Sequence, residues 1–250
     1  ILLKKQNIKI PFKTNVLIYF SGYSFAISPG KSGEFIKSII MKEKLGIKKS
    51  TTIPIIFLER YFDMIGTVIV ASFSILVIGI HTTSILVIVI GLFTLIFLVV
   101  YKNSFQLLMK LLKKISFFAK YTSSFENMQM ILKQSQTPKT IFTCTSLTIV
   151  YRFIEGIGIF LIIISMDVEI LDYLITTSTY SLSVIIGTIS FSPGGLGVTE
   201  GSFAGLLTLY ELELQTTLAI AVIVRLFTMW FAIVVGFISL KLSELITHNE

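Results

Sequence analysis

Residues 54–80 read PIIFLERYFDMIGTVIVASFSILVIGI, and residues 84–101 read SILVIVIGLFTLIFLVVY. As helices rising ~1.5 Å per residue, runs of this length cross the ~30 Å hydrocarbon layer of a bilayer. That feature removes most folds from consideration, because in hydrocarbon every backbone N–H and C=O must be satisfied inside a helix or a closed barrel. The 54% hydrophobic content and the mean hydropathy of +0.87 point to the same class. So does the 14% charged fraction, against about 25% in an ordinary soluble domain. The sequence predicts an all-α fold, a polytopic membrane helix bundle forming one transmembrane domain over residues 1–250.

The few charges are unevenly placed, and they set a topology. Residues 1–49 hold ten lysines against Glu34 and Glu43, and residues 102–139 hold seven against Glu126. Residues 166–214 hold no Lys or Arg, but they carry Asp167, Glu169, Asp172, Glu200, Glu211 and Glu213. Lysine and arginine accumulate in cytoplasmic loops, so the first two regions are expected inside a cell membrane and the third outside. Lysines that flank spans rather than share one domain face argue against a nucleic-acid partner for this +7 chain. Crossings are expected at about 53–79, 84–101, 140–165 and 214–240. Residues 103–136, with LLMKLLKKISFFAKY, read either as an amphipathic helix on the anionic inner leaflet or as a solvated helix packed on the bundle.

Two apolar pieces fit no crossing. Residues 14–28 and 173–191 each run into Ser-Pro-Gly, and a second short apolar stretch follows each. Lysines stand on both sides of the first piece and acids on both sides of the second. Each is therefore expected to enter and leave by one face, as a re-entrant helical hairpin. ISPGKSGE at 27–34 and FSPGGLGVTE at 191–200 share SPGxxG; Pro29 precedes Arg60 by 31 residues, and Pro193 precedes Arg225 by 32. Hairpins that open to opposite sides make the two halves, about 14–101 and 140–243, an inverted-topology repeat joined by a linker at about 102–139.

In SPGxxG the serine suits an N-cap and the proline the first helical position, while the glycines leave N–H groups uncovered. A half-helix that starts at depth aims free donors and its positive dipole end at an anion such as a phosphate. The alternative is a structural kink between packed helices. The candidate lipid-binding positions are Ser28, Pro29, Gly30, Gly33 and Glu34 in the first half. In the second half they are Ser192, Pro193, Gly194, Gly195, Gly197 and Glu200. Arg60, Arg152, Glu155 and Arg225 join them, because they stand within spans, where ionisable groups are costly and usually paired or functional. Arg60 with Asp63, and Arg152 with Glu155, are at i, i+3 and can pair on one helix face. Either the arginines grip a phosphate bidentately, or they neutralise carboxylates, Glu34 and Glu200 among them.

Cys144 stands alone, and the chain has no CxxC, P-loop or Ser/His/Asp arrangement. Its two histidines, His81 and His248, have no ligand partners in the sequence, so no metal or cofactor is expected. SPGKSGEFIKSIIMKEK followed by FLERYFD, and SPGGLGVTEGSFAGLL followed by VRLFTMW, resemble the flippase-like transmembrane domain of lysylphosphatidylglycerol synthases and its stand-alone relatives. The resemblance runs over nearly the whole chain. It implies two re-entrant hairpins and the moving or handling of anionic or polyprenyl-type lipids. Its motif positions here are Pro29, Gly30, Gly33, Glu34, Arg60, Pro193, Gly194, Gly195, Gly197, Glu200 and Arg225. Family members usually begin with further membrane helices, and the bifunctional synthases carry a soluble aminoacyl-transferase domain. The chain, which opens on Ile1 and stops at Glu250, is therefore expected to be a fragment or processed product. Lipid lysylation is not expected of it alone.

The leading functional expectation is a flippase-like protein that translocates an anionic phospho- or polyprenyl-phosphate lipid through a midplane site. It would run by scrambling or on an ion gradient. Two alternatives stand beside it. One is a membrane enzyme or accessory subunit for glycosyl transfer to polyprenyl-phosphate lipids; the other is a scaffold whose charges only pair internally. Its expected partners are an anionic membrane lipid and the bilayer, and the oligomeric state is left open.

Overall fold

A computed structural model of the chain describes residues 1–78, 131, 134, 137–168 and 171–246. The elements among them are helices: α1 (Leu2–Lys5), α2 (Phe12–Ser21), α3 (Ile36–Leu45), α4 (Lys49–Ile78), α5 (Pro138–Ile164), α6 (Tyr173–Ile189), α7 (Val198–Thr208), α8 (Leu214–Arg225) and α9 (Phe231–Ile246). The expected crossing at 84–101 and nearly all of 103–136 lie outside the described residues. Helix α5 and the continuous run Leu214–Ser243 are each long and apolar enough to cross a bilayer. Their outer faces are apolar as well, with Phe142, Ile154 and Leu161 of α5 and Phe231, Val234 and Phe237 of α9 exposed.

Helix α6 sits at the centre. Its residues 176–183, TTSTYSLS, are all buried, and α4, α5 and α7 pack around it. So polar a helix is tolerated there because most of its hydroxyls bond back to their own backbone. Thr177 donates to the Tyr173 carbonyl at 2.8 Å, Ser178 to Leu174 at 2.7 Å and Ser181 to Thr177 at 2.8 Å, the i−4 pattern of helical Ser and Thr. Small residues also let the neighbouring helices come close, as in membrane bundles generally. A Cβ on Gly156 of α5 would overlap Thr177 Oγ1, and one on Gly187 would overlap Thr199 Oγ1 of α7. Two apolar clusters complete the packing. Ile159, Phe203, Leu207 and Ile220 join α5, α7 and α8, while Val68, Ala71, Leu182 and Ile185 join α4 to α6.

Both SPG sequences interrupt a pair of helices. Helix α2 ends at Ser21 and tightens into a 3-10 turn over Gly22–Phe25. The chain then reverses at Ser28 (φ −62, ψ 143) into a second 3-10 segment, Pro29–Phe35, which runs into α3. In the second half, α6 ends at Ile189, Pro193–Gly195 forms one 3-10 turn, and α7 starts at Val198 with Gly197 as its N-cap. Serine and proline do take the N-cap and first helical positions, but of 3-10 segments rather than of the α-helices that follow. Ser28 and Ser192 make no capping bond to the turn that follows. The Ser28 hydroxyl accepts from the Gly33 N–H instead, and Ser192 donates to the Leu196 carbonyl at 2.9 Å. In the second turn the glycines explain the delay. Gly194, Gly195 and Gly197 have φ of 61, 70 and 76, a left-handed region from which α winding cannot start. The last span differs too: it runs from Leu214 to Ile246 and contains a π-helical turn at Leu226–Trp230, directly after Arg225.

Other chain ends follow ordinary rules. Thr137 caps α5 by accepting from the Thr140 N–H at 3.3 Å, with Pro138 at the first helical position. Gly46 (φ 66) closes α3, its N–H reaching Lys42 and that of Ile47 reaching Met41, a Schellman arrangement. Lys44 then donates to the Ser243 carbonyl at 2.8 Å, which ties the end of α3 to α9.

Candidate functional site

The two SPG turns, distant in sequence, meet in space. A Cβ on Gly194 would lie 3.0 Å from Ile27 Cα and 3.4 Å from the Ala26 carbonyl oxygen. Glycine is therefore required there by contact as well as by its positive φ. Gly33 is pressed even more closely within its own turn, where a Cβ would overlap the Phe25 carbonyl oxygen.

A cavity of ≈550 Å³ lies at this junction, walled by both turns and by residues of α4, α5, α6 and the π-helical turn. Of the sequence-predicted residues, Glu34, Arg60, Arg152, Glu155, Ser192, Gly194, Gly195 and Arg225 line it. Pro29 and Gly30 lie in the 3-10 segment Pro29–Phe35, and Pro193 in the 3-10 turn Pro193–Gly195. Ser28, Gly33 and Gly197 shape the turns without lining the cavity, and Glu200 stands behind Arg225.

The first turn is tied into a chain of seven charges. Lys37 of α3 places Nζ 2.6 Å from Glu59 Oε2 and 3.3 Å from Glu34 Oε2. Arg60 Nη1 lies 3.1 Å from Glu34 Oε1 and 3.2 Å from Asp63 Oδ2. Arg152 continues the chain, with Nη2 3.6 Å from Asp63 Oδ1 and Nη1 2.7 Å from Glu155 Oε2. Its Nε donates to Thr67 Oγ1 at 2.9 Å. The second turn has a smaller set. Arg225 Nε donates to Glu200 Oε1 at 2.6 Å, while Nη2 donates to the Gly194 carbonyl and, at 2.9 Å, to Met229 Sδ. The pairs Glu34–Arg60, Glu200–Arg225, Arg60–Asp63 and Arg152–Glu155 all form.

Burial separates these cations by role. The Arg152 and Lys37 side chains are 5% and 4% exposed, so they act as keys within the bundle. The Arg60 side chain is 28% exposed and lines the cavity, so a ligand can reach it. Its Nε is nevertheless buried, and among the described residues it has no hydrogen-bond partner. Glu200 Oε2 is the corresponding unpartnered acceptor behind Arg225. A buried donor of this kind costs free energy until an acceptor arrives.

Sequence reasoning missed Lys37 and a set of aromatic lining residues. The Lys37 signal was available, because it stands at i+3 from Glu34. Tyr23 and Tyr180 had no such signal, since a tyrosine in a span reads equally as core or lipid face, and the one for Tyr151 was its i, i+4 spacing to Glu155. Tyr151 Oη donates to Glu155 Oε1 at 3.2 Å and Tyr180 Oη to Thr228 Oγ1 at 3.1 Å, which brings both hydroxyls to the polar pit.

A family model described as the lysylphosphatidylglycerol synthase TM region matches residues 1–236. The chain belongs to this family. No curated protein and no solved structure matches it. Membership in a transmembrane family makes the apolar outer faces of α5 and α9 surfaces for lipid. The charge-lined cavity is accordingly a polar pocket inside a membrane protein of a lipid-handling family.

Proposed function

We propose that this protein moves a phosphate-bearing lipid between leaflets, the headgroup passing through the cavity where the two SPG turns meet. The junction itself carries the reading: two interrupted helix pairs from opposite halves bring non-helical backbone and three arginines to one polar pit. Irregular backbone at membrane depth is tolerated where it lines such a cavity. Paired broken helices at the midplane are also how many transporters build a substrate site. In this reading α2–α3 and α6–α7 are re-entrant hairpins of an inverted repeat, the first dipping from the cytoplasm and the second from outside.

Arg60 is the headgroup contact. It is reachable from the cavity and keeps a spare Nε–H, and a phosphate oxygen suits a guanidinium better than any neutral acceptor. Glu34 and Asp63 hold Arg60 while the pit is empty, so no bare charge stands in the bundle. A phosphate binds by replacing one of these carboxylates on Arg60. That exchange keeps binding weak enough for release, as passage through a membrane requires. On α7, Thr199 of the first turn also lines the cavity, adding a helix N-terminus near the anion.

The test is reconstitution into liposomes that carry a headgroup-labelled anionic phospholipid, with an impermeant quencher added outside. The expected result is steady loss of the protected inner-leaflet signal in the presence of protein. Signal loss no faster than in protein-free liposomes, across phosphate-bearing lipids, overturns the reading. Topology is checked separately in a Cys144→Ser background. Lys48→Cys is expected to label from the cytoplasm and Asp172→Cys from outside, and labelling of both from one side removes the inverted repeat.

A further inference from the structure

A second cavity, of ≈500 Å³, adjoins the polar one, and its walls are almost entirely apolar. The two share Phe20, Tyr23, Tyr151, Glu155, Thr228 and Ala232. Beyond this shared boundary the groove runs between Ile154, Gly158 and Ile162 of α5 and Phe227, Phe231 and Val235 of the last span. Ile154, Phe227 and Phe231 are exposed, so the groove opens on the lipid-facing surface of the bundle.

Its shape matches one hydrocarbon chain. From Tyr151 to Ile162 the groove follows α5 for eleven residues. At the helical rise that is roughly 16 Å, about half the hydrocarbon thickness of a bilayer and so about the depth of one leaflet. The boundary between the cavities carries amphipathic rings, as polar–apolar boundaries in membranes do. Tyr151 turns its hydroxyl to Glu155, and Tyr23 donates to Tyr19 Oη at 3.2 Å. The groove is kept open at Gly158, where an added Cβ would meet nothing within 4 Å.

We infer that this groove seats one hydrocarbon chain of the same lipid molecule whose headgroup lies in the polar cavity. The inference rests on the proposed function. Continuity is the argument: a headgroup beside Arg60 has its own chains directly at Tyr23 and Tyr151, and the groove is the apolar path that begins there. Headgroup and chain then stay in matching surroundings, the phosphate among the ion pairs and the chain among Ile154, Ile162 and Phe231.

The test uses the native protein in phosphatidylcholine vesicles that contain a phosphatidylglycerol with a diazirine in one acyl chain. Photolysis is expected to concentrate adducts on residues 154–162 and 227–235. Gly158→Phe and, independently, Ile162→Trp fill the groove. Each is expected to lower both adduct yield and lipid translocation about tenfold, while binding of water-soluble glycerophosphoglycerol to the polar cavity stays native. Gly205→Phe, on the open face of α7, is the matched control and keeps native adducts and transport. Adducts spread evenly over other exposed apolar positions, such as Phe142 of α5 and Val222 of α8, overturn the inference. Native transport in both groove-filled variants overturns it too. Cross-links between two copies of the chain through the groove do the same, because they make the occupant a partner subunit. If native protein binds glycerophosphoglycerol but the groove stays unlabelled, this inference alone falls. If it does not bind glycerophosphoglycerol, the proposed function falls with it.

Discussion

Glu34, beside the first SPG turn, is held by both Arg60 and Lys37, whereas Glu200, beside the second, holds Arg225 alone. The same motif thus sits in two electrostatic settings. The first turn belongs to a chain of charges that reaches through α4 to Arg152 and Glu155 on α5, so moving it disturbs three elements at once. Among the described residues, Arg225 holds the second turn through one ion pair, one backbone carbonyl and one thioether. Two turns that share SPGxxG in sequence therefore differ in how many ion pairs hold them, the first more heavily braced than the second.

The largest effect is expected where the brace is cut. Arg152→Leu leaves part-buried Glu155 without its cation and Asp63 with Arg60 alone, and breaking such a pair costs about 3–5 kcal/mol. The unfolding midpoint of the purified protein is expected to drop accordingly, and an unchanged midpoint would show that the seven charges are not one unit. The second turn is expected to respond less. Arg225→Leu strands Glu200 and the Gly194 carbonyl, at a cost of about 3 kcal/mol, the low end for one broken ion pair. Removing both partners in Glu200→Leu/Arg225→Leu returns stability to within about 1 kcal/mol of native, since an apolar replacement of a whole pair can be neutral. That double variant is expected to fold without moving lipid; native lipid transport by it would make the pair structural only. Glu34→Leu/Arg60→Leu is not rescued in this way, because Lys37 and Asp63 lose partners too, and equal rescue in both halves would erase the contrast.

The smallest effects concern the turn backbones. Gly33→Ala pushes a Cβ into the Phe25 backbone, an overpacking of about 1–3 kcal/mol. Gly197→Ala meets open space and carries only the strain of φ 76, about 1–2 kcal/mol. Thermal unfolding of the two variants ranks them, and a larger loss at Gly197 would reverse the assignment of the first turn as the tighter one.

The pairs in this site are legible in the sequence where spacing is regular. Glu34–Arg60 and Glu200–Arg225 follow from the matched intervals after each proline, and Arg60–Asp63 and Arg152–Glu155 from the i, i+3 rule. Lys37 escapes because a lysine near KEK reads as part of a cytoplasmic loop; its i, i+3 spacing to Glu34 was legible, but its pairing with Glu59 comes from the fold. The start of α7 escapes because serine and proline are helix-opening residues by propensity, while the left-handed φ of three nearby glycines is a tertiary outcome. Hydropathy likewise conceals the central place of α6. The eight buried residues 176–183 include six Thr and Ser, and the polarity of Thr177, Ser178, Ser181 and Ser183 is cancelled by bonds to their own backbone that composition does not register.

The π-helical turn at Leu226–Trp230 holds one residue more than an α turn would. Each α-helical residue advances the azimuth by about 100°, so the halves of the last span on either side of it are out of phase by about that angle relative to an unbroken helix. Arg225 on one side and Gly236 on the other are aimed independently: the arginine at Glu200, the glycine at Ser24, whose backbone nitrogen an added Cβ would overlap. Losing one residue from the turn would restore even winding and swing the whole of Phe231–Ile246 about its axis, taking Gly236 off the 3-10 turn Gly22–Phe25 that it packs against. The span is in effect a shaft with a one-tooth offset, and that tooth lets its two halves present Arg225 and Gly236 at independent angles.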